Sequence, residues 1–130
     1  MKYTLFVYGS LKRGKPLHFY LSRAQFLGVG VTEERYPLIL AEEGWYPYLL
    51  DFPGKGYRVT GELYSIDYPT LKLIDQVEEY PKYYIRKKIY IEMEKPAPNS
   101  SLKKGEKVEA LCYFKRTPIQ FSLSHCLFQF

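Results

Sequence analysis

Two places in this 130-residue chain combine residue types and spacing that could do chemistry. The first is Phe6-Val7-Tyr8-Gly9-Ser10-Leu11-Lys12-Arg13-Gly14, where a short apolar run stops at a glycine. Glycine reaches backbone angles closed to other residues and lets a ligand approach the main chain. The N–H groups of Gly9, Ser10 and Leu11 could therefore form an anion-binding nest. Ordinary strand-to-turn chemistry accounts for the same residues. The second place is the pair Glu78-Glu79, which follows the helix-period apolar residues Leu71, Leu73, Ile74 and Val77. At about 100° per residue Glu78 falls inside the apolar arc and Glu79 on the other side. Glu79 reads as a solvated charge. Glu78 is aimed at the protein body, where an unpaired carboxylate is costly and its pKa rises, unless a buried salt bridge to Arg86 or Arg58 satisfies it.

The elements that must position these groups are mostly short strands. Thr4, Phe6 and Tyr8 alternate with Leu5 and Val7, which suits a strand covered on both faces. Pro16 can open a short helix over Leu17 to Leu21, a supporting element in which His18 could act as a base but reads rather as a packed or solvent-facing residue. Phe26 to Val31 and Tyr36 to Leu40 are strand-like, and Trp45 to Leu50 is an aromatic strand that Pro47 places at an edge or bulge. Such a segment either lines a pocket or packs in the core. In Arg58 to Ile66 the central Gly61 marks a bulge, a barrel bend or close approach by another backbone. Asp67 then caps the helix that carries Glu78, with Pro69 in its first turn. From Tyr83 to Glu94 the pattern alternates, so Tyr84 and Arg86 share a face. Residues 96–104 form a polar connection, and Cys112 lies on the apolar face of Val108 to Phe114. The apolar tail from Thr117 to Phe130 has the composition to dock on the rest. Together these elements indicate one α+β domain, residues 1–130, dominated by β-structure.

Composition excludes several classes. The formal charge of +5 is spread along the chain, and no segment matches a nucleic-acid module, so no specific nucleic-acid partner is expected. Cys112, Cys126, His18 and His125 have no metal-ligand spacing, so no metal is expected. No signal peptide or apolar run of roughly 20 residues is present, which predicts a cytoplasmic protein without a membrane partner.

Tyr8-Gly9-Ser10-Leu11 is followed in order by Trp45-Tyr46-Pro47, Val59-Thr60-Gly61-Glu62-Leu63-Tyr64, Ile74-Asp75-Gln76-Val77-Glu78 and Tyr84-Ile85-Arg86. This ordered set resembles the gamma-glutamylcyclotransferase superfamily, with the greatest likeness to its gamma-glutamylamine cyclotransferase and AIG2-like branch. The resemblance implies a closed, mostly antiparallel β-barrel with flanking helices, and a cavity shared by the Tyr-Gly-Ser-Leu loop and one glutamate. It maps that glutamate onto Glu78. It also implies a cofactor-free enzyme in which the α-amine of a small γ-glutamyl substrate attacks its own γ-amide carbonyl, releasing 5-oxoproline and an amine. Glu78 would be general acid and base; Tyr8, Gly9, Ser10 and Leu11 would bind negative charge, and Tyr84 and Arg86 would orient or pair with substrate or Glu78, or be merely solvated if they lie on an outward barrel face. Acyl transfer or deprotection of a γ-glutamyl-tagged metabolite, or ligand binding without turnover, would use the same fold. The sequence departs from the family at Leu17, where Asn is frequent, and in the tail.

Overall fold

The computed structural model describes residues 1–116 and 123–130. Its strands are β1 (Lys2–Val7), β2 (Gln25–Tyr36), β3 (Leu38–Leu40), β4 (Pro47–Leu49), β5 (Tyr57–Asp67), β6 (Tyr84–Pro96) and β7 (Lys107–Lys115). A 3-10 turn (His18–Leu21) precedes β2, and α1 (Tyr68–Val77) connects β5 to β6. Five strands close into a barrel in the order β1-β5-β2-β6-β7, and β3 pairs with β4 as a separate ribbon. The barrel is antiparallel except at the β1–β7 seam, which is parallel at Leu5 and Leu111. The expected flanking helices reduce to one α-helix among the described residues. Leu17 to Leu21 is too short to propagate an α-helix and closes as the 3-10 turn instead.

Strand β1 feeds two cores, as its alternation predicts. Phe6 and Tyr8 point into the barrel with Leu63, Ile91, Met93, Cys112 and Phe114. Leu5 and Val7 point outward, where Tyr64, Ile66, Leu71 and Ile74 join them beneath α1. Each fully buried side chain of this size contributes about 1.5–3 kcal/mol. Closure depends on Gly61: a Cβ there would lie 2.5 Å from the Val7 carbonyl oxygen and 2.6 Å from the Phe6 ring. Of the roles open to this glycine, close approach by a neighbouring strand is the one observed.

Helix α1 begins where the sequence places it. The Asp67 carboxylate accepts from the Thr70 N–H at 2.9 Å, and Pro69 sits in the first turn. At the other end Glu79 N–H donates to the Gln76 carbonyl and Tyr80 N–H to the Asp75 carbonyl, with Glu79 in the left-handed region at φ 53°. This closure holds Glu78 at the C-cap. Of the predicted docking tail, residues 117–122 lie outside the described residues. The remainder docks: Leu127 donates to Leu38, Phe128 accepts from Thr60, and the Phe130 carbonyl accepts from Lys12 Nζ at 2.7 Å. No helix among the described residues is long and apolar enough to cross a membrane.

Candidate active site

The site is assembled at one mouth of the barrel. Beyond Val7 the chain leaves β1 and runs through Tyr8, Gly9, Ser10 and Leu11 along a narrow inner cleft of about 30 Å³, which Pro47, Glu78, Tyr84 and Tyr113 also line. The cleft adjoins an outer bowl of about 530 Å³ that adds Trp45, Tyr83 and Lys115. Ser10, Tyr46, Glu78 and Tyr84 border both spaces, so Glu78 stands at the neck between them. The aromatic run at Trp45 and Tyr46 therefore lines a pocket.

Gly9 is required here for a reason other than backbone freedom. Its φ is not positive, and a Cβ would meet Cδ and Cγ of Pro47 at 2.9 Å. The ring of Pro47 closes over the loop, and any side chain at Gly9 would push it away. Among the described residues, the N–H groups of Gly9, Ser10 and Leu11 meet no intramolecular acceptor. They are available to a ligand, as an anion-binding loop needs.

Glu78 keeps partial exposure as a residue, yet protein surrounds its carboxylate closely enough for lost hydration to dominate. Burial pushes its pKa up to about 7, opposed only in part by the charge of Lys115. No hydrogen bond or ion pair engages the Glu78 carboxylate among the described residues. The two arginines that could have neutralised it are committed elsewhere: Arg58 bonds Glu92 at 3.0 Å and Arg86 bonds Asp75. Burial also raises the pKa of Tyr8 and Tyr84, and the nearby Glu78 charge adds to both shifts. Both phenols keep their protons at neutral pH and are able to donate. Tyr8 already spends its proton on the Tyr113 carbonyl at 2.7 Å.

Behind the cleft lies a second carboxylate. Asp75, buried on α1, takes a two-point contact from Arg86, with Nε to Oδ1 at 2.7 Å and Nη2 to Oδ2 at 3.2 Å. The Tyr113 hydroxyl donates to Asp75 Oδ1 at 2.6 Å. The Arg86 guanidinium also lies 4.4 Å from the centre of the Tyr80 ring. Of the residues singled out from sequence, Tyr8, Gly9, Ser10, Leu11, Glu78 and Tyr84 thus meet around one cleft. Arg86 does not line it, because Asp75 holds its charge behind the wall. Sequence reasoning missed Asp75, Tyr113 and Lys115. The signals for Asp75 were its place in the motif Ile74-Asp75-Gln76-Val77-Glu78 and its spacing of three residues from Glu78, on the same side of α1.

The chain matches the family model described as gamma-glutamyl cyclotransferase, AIG2-like, over residues 5–125. It is 42% identical over 94 residues to a gamma-glutamylaminecyclotransferase of Mus musculus, covering 68% of this chain and 63% of that protein. Gamma-glutamylaminecyclotransferase C of Danio rerio is also 42% identical over 94 residues, covering 68% and 62%. The chain thus spans less than two thirds of the length of these curated relatives. The crystal structure of an AIG2-like protein from Mus musculus superposes with a TM-score of 0.77 at 36% identity, covering 87% of this chain and 76% of that one.

Proposed function

The chain belongs to the gamma-glutamyl cyclotransferase, AIG2-like family, and from that premise we propose that it converts a small γ-glutamyl amine or peptide into 5-oxoproline and a free amine. One observation carries this reading: a carboxylate with no partner among the described residues and a pKa of about 7 stands at the neck of a cleft whose other wall offers main-chain N–H groups free among those residues.

The reaction needs that combination. The substrate α-ammonium cannot attack until it loses a proton, and the amine it displaces cannot depart until it gains one. Glu78 takes the first proton. The α-nitrogen then bonds to the γ-carbonyl carbon and gives up its second proton as it becomes the lactam N–H, the γ-carbon to nitrogen amide bond breaks, and Glu78 relays both protons to the departing nitrogen, which leaves as an ammonium. No electron acceptor enters the balance. A base with a pKa near the working pH does both jobs without a large penalty for either. Because the nucleophile and the carbonyl belong to one molecule, a cleft that holds the folded conformer captures part of a proximity effect that reaches about 7–11 kcal/mol in well-oriented systems.

The N–H groups of Gly9, Ser10 and Leu11 receive negative charge, either the substrate α-carboxylate or the oxyanion formed during attack. The Tyr84 hydroxyl supplies a further donor at the neck. The outer bowl takes the leaving amine. Names of the relatives make γ-glutamyl amines the first donors to try.

The test is a panel of γ-glutamyl amines and peptides assayed for 5-oxoproline, with wild type beside Glu78→Gln. Release by wild type and its loss in folded Glu78→Gln is the expected result. A wild-type protein that binds these donors without releasing 5-oxoproline would overturn the reading.

A further inference from the structure

The free N–H groups of Ser10 and Leu11 are oriented by bonds to the carbonyls of their own peptides. Three consecutive carbonyls are engaged. Gly9 accepts from Lys12 N–H at 3.0 Å, Ser10 from Leu17 N–H at 2.9 Å, and Leu11 from His18 Nδ1 at 3.0 Å. In a trans peptide the C=O and the N–H point in opposite directions. The Gly9 carbonyl is pinned within the loop's own turn and the Ser10 carbonyl toward the start of the 3-10 turn, so the Ser10 and Leu11 N–H groups of the same two peptides point the opposite way, and both residues line the cleft.

His18 closes this arrangement. The Leu11–Lys12 peptide is clamped at both ends, its carbonyl by His18 and its N–H by the Gly9 carbonyl. Release of the first end frees the second, and with it the orientation of the Gly9–Ser10 peptide. A carbonyl oxygen only accepts, so His18 must carry its proton on Nδ1. The imidazole is itself backed by the Tyr64 ring at 5.9 Å, and the Tyr64 hydroxyl bonds Glu62 Oε1, which also takes the Arg13 N–H at 2.9 Å. The brace is therefore tied to β5, a barrel strand.

We propose that His18 is a positioning residue for the anion-binding face of the loop, aligning the Ser10 and Leu11 N–H groups through its bond to the Leu11 carbonyl; the catalytic part of this role rests on the cyclotransferase reading above. Two variants separate the brace from mere packing. His18→Leu fills the space and has no donor, whereas His18→Asn restores a donor at similar reach from the backbone.

Two readouts are taken on each protein. The first is hydrogen exchange at the Lys12 amide, which needs no substrate. His18→Leu should speed it at least tenfold relative to amides in the β1–β5 ladder, and His18→Asn should restore it. The second is kcat and KM for 5-oxoproline release. His18→Leu should lower kcat/KM about tenfold, and His18→Asn should lie within about threefold of wild type. A rise in KM alone would mean that the loop holds the substrate carboxylate, and a fall in kcat alone that it holds the oxyanion. Unchanged exchange at Lys12 in His18→Leu, or equal damage in both variants, would overturn the proposal. A wild-type protein with no turnover would remove the cyclotransferase reading, while the Lys12 exchange would still decide the brace.

Discussion

Asp75 and Glu78 lie one turn apart at the end of α1, and the protein treats the two carboxylates in opposite ways. Asp75 is given a two-point contact with arginine and a phenol. Glu78, at the neck of the cleft, is given no partner among the described residues and loses hydration besides. The first arrangement holds the cleft wall in place, and the second leaves a proton acceptor whose affinity is tuned by burial. A buried charge with its partners can be rigid and inert, and one without them is costly and reactive. The arginine near the cleft is thus spent on Asp75 and leaves Glu78 without a neutralising partner among the described residues.

The largest effect should come from breaking the paired side. Asp75→Ala leaves Arg86 and the Tyr113 hydroxyl without their acceptor, and loss of one partner of a buried pair costs about 3–5 kcal/mol. Urea unfolding should show a fall of that order; a loss below about 1 kcal/mol would mean that the contact is ornamental.

The unpaired side should respond in the reverse sense. Glu78→Gln should lower kcat at least 100-fold, the lower end of what a general acid and base contributes, without loss of stability. A folded variant that keeps more than about a tenth of the wild-type rate would end the assignment. The same substitution carries a pH signature. Because the folded pKa of Glu78, about 7, lies above the ordinary 4.5, the native state binds the proton more tightly than the unfolded chain. Stability therefore falls as pH rises from about 4.5 through 7, by an amount of order 1–3 kcal/mol. Glutamine has no proton to lose, so at pH 8 Glu78→Gln should melt above wild type, and at pH 4 the advantage should vanish. Equal melting temperatures at both pH values would show that the carboxylate is hydrated after all.

On the opposite wall, Gly9→Val should reduce turnover more than Ser10→Ala. A valine must displace the Pro47 ring, at a packing cost of about 1–3 kcal/mol, whereas Ser10→Ala keeps its N–H. Circular dichroism melts beside the rates separate damage to the site from unfolding. If Ser10→Ala is dead and folded Gly9→Val is normal, the hydroxyl and not the main chain carries the function.

The smallest effect is expected at Glu79, held at a positive φ on the rim of the bowl. Glu79→Gly relieves that conformation and should stabilise the fold by up to about 1 kcal/mol, with a rate within about twofold of wild type. A tenfold loss would assign Glu79 a part in holding Glu78 at the neck.

The sequence was legible where the information is local. The Asp67 cap, the two-faced pattern of β1 and the inward aim of Glu78 all follow from side chains within a few positions of one another. Gly61 was recognisable as special, but which strand approaches it was not. The same limit explains the misreading of Gly9, whose constraint is a proline on β4 and not its own backbone angle. Arg86 and Tyr113 fall on the polar side of their strands by alternation. They are withdrawn from solvent because α1 lies over that end of the sheet and brings Asp75 to them, and alternation along a strand carries no record of what covers it.

The parallel seam between β1 and β7 has a consequence for how the protein reaches its working state. Tyr8 and Tyr113, joined by a hydrogen bond across 105 positions, meet only when the first barrel strand finds the last. Bringing such distant segments together spends chain entropy before any contact repays it, so barrels closed in this manner gain their final strand late and slowly. The cleft draws one wall from the end of β1 and another from β7, and it has no meaning in a partly closed barrel. In refolding from denaturant, regain of catalysis should therefore trail the return of β-sheet signal, and turnover becomes a clock for barrel closure.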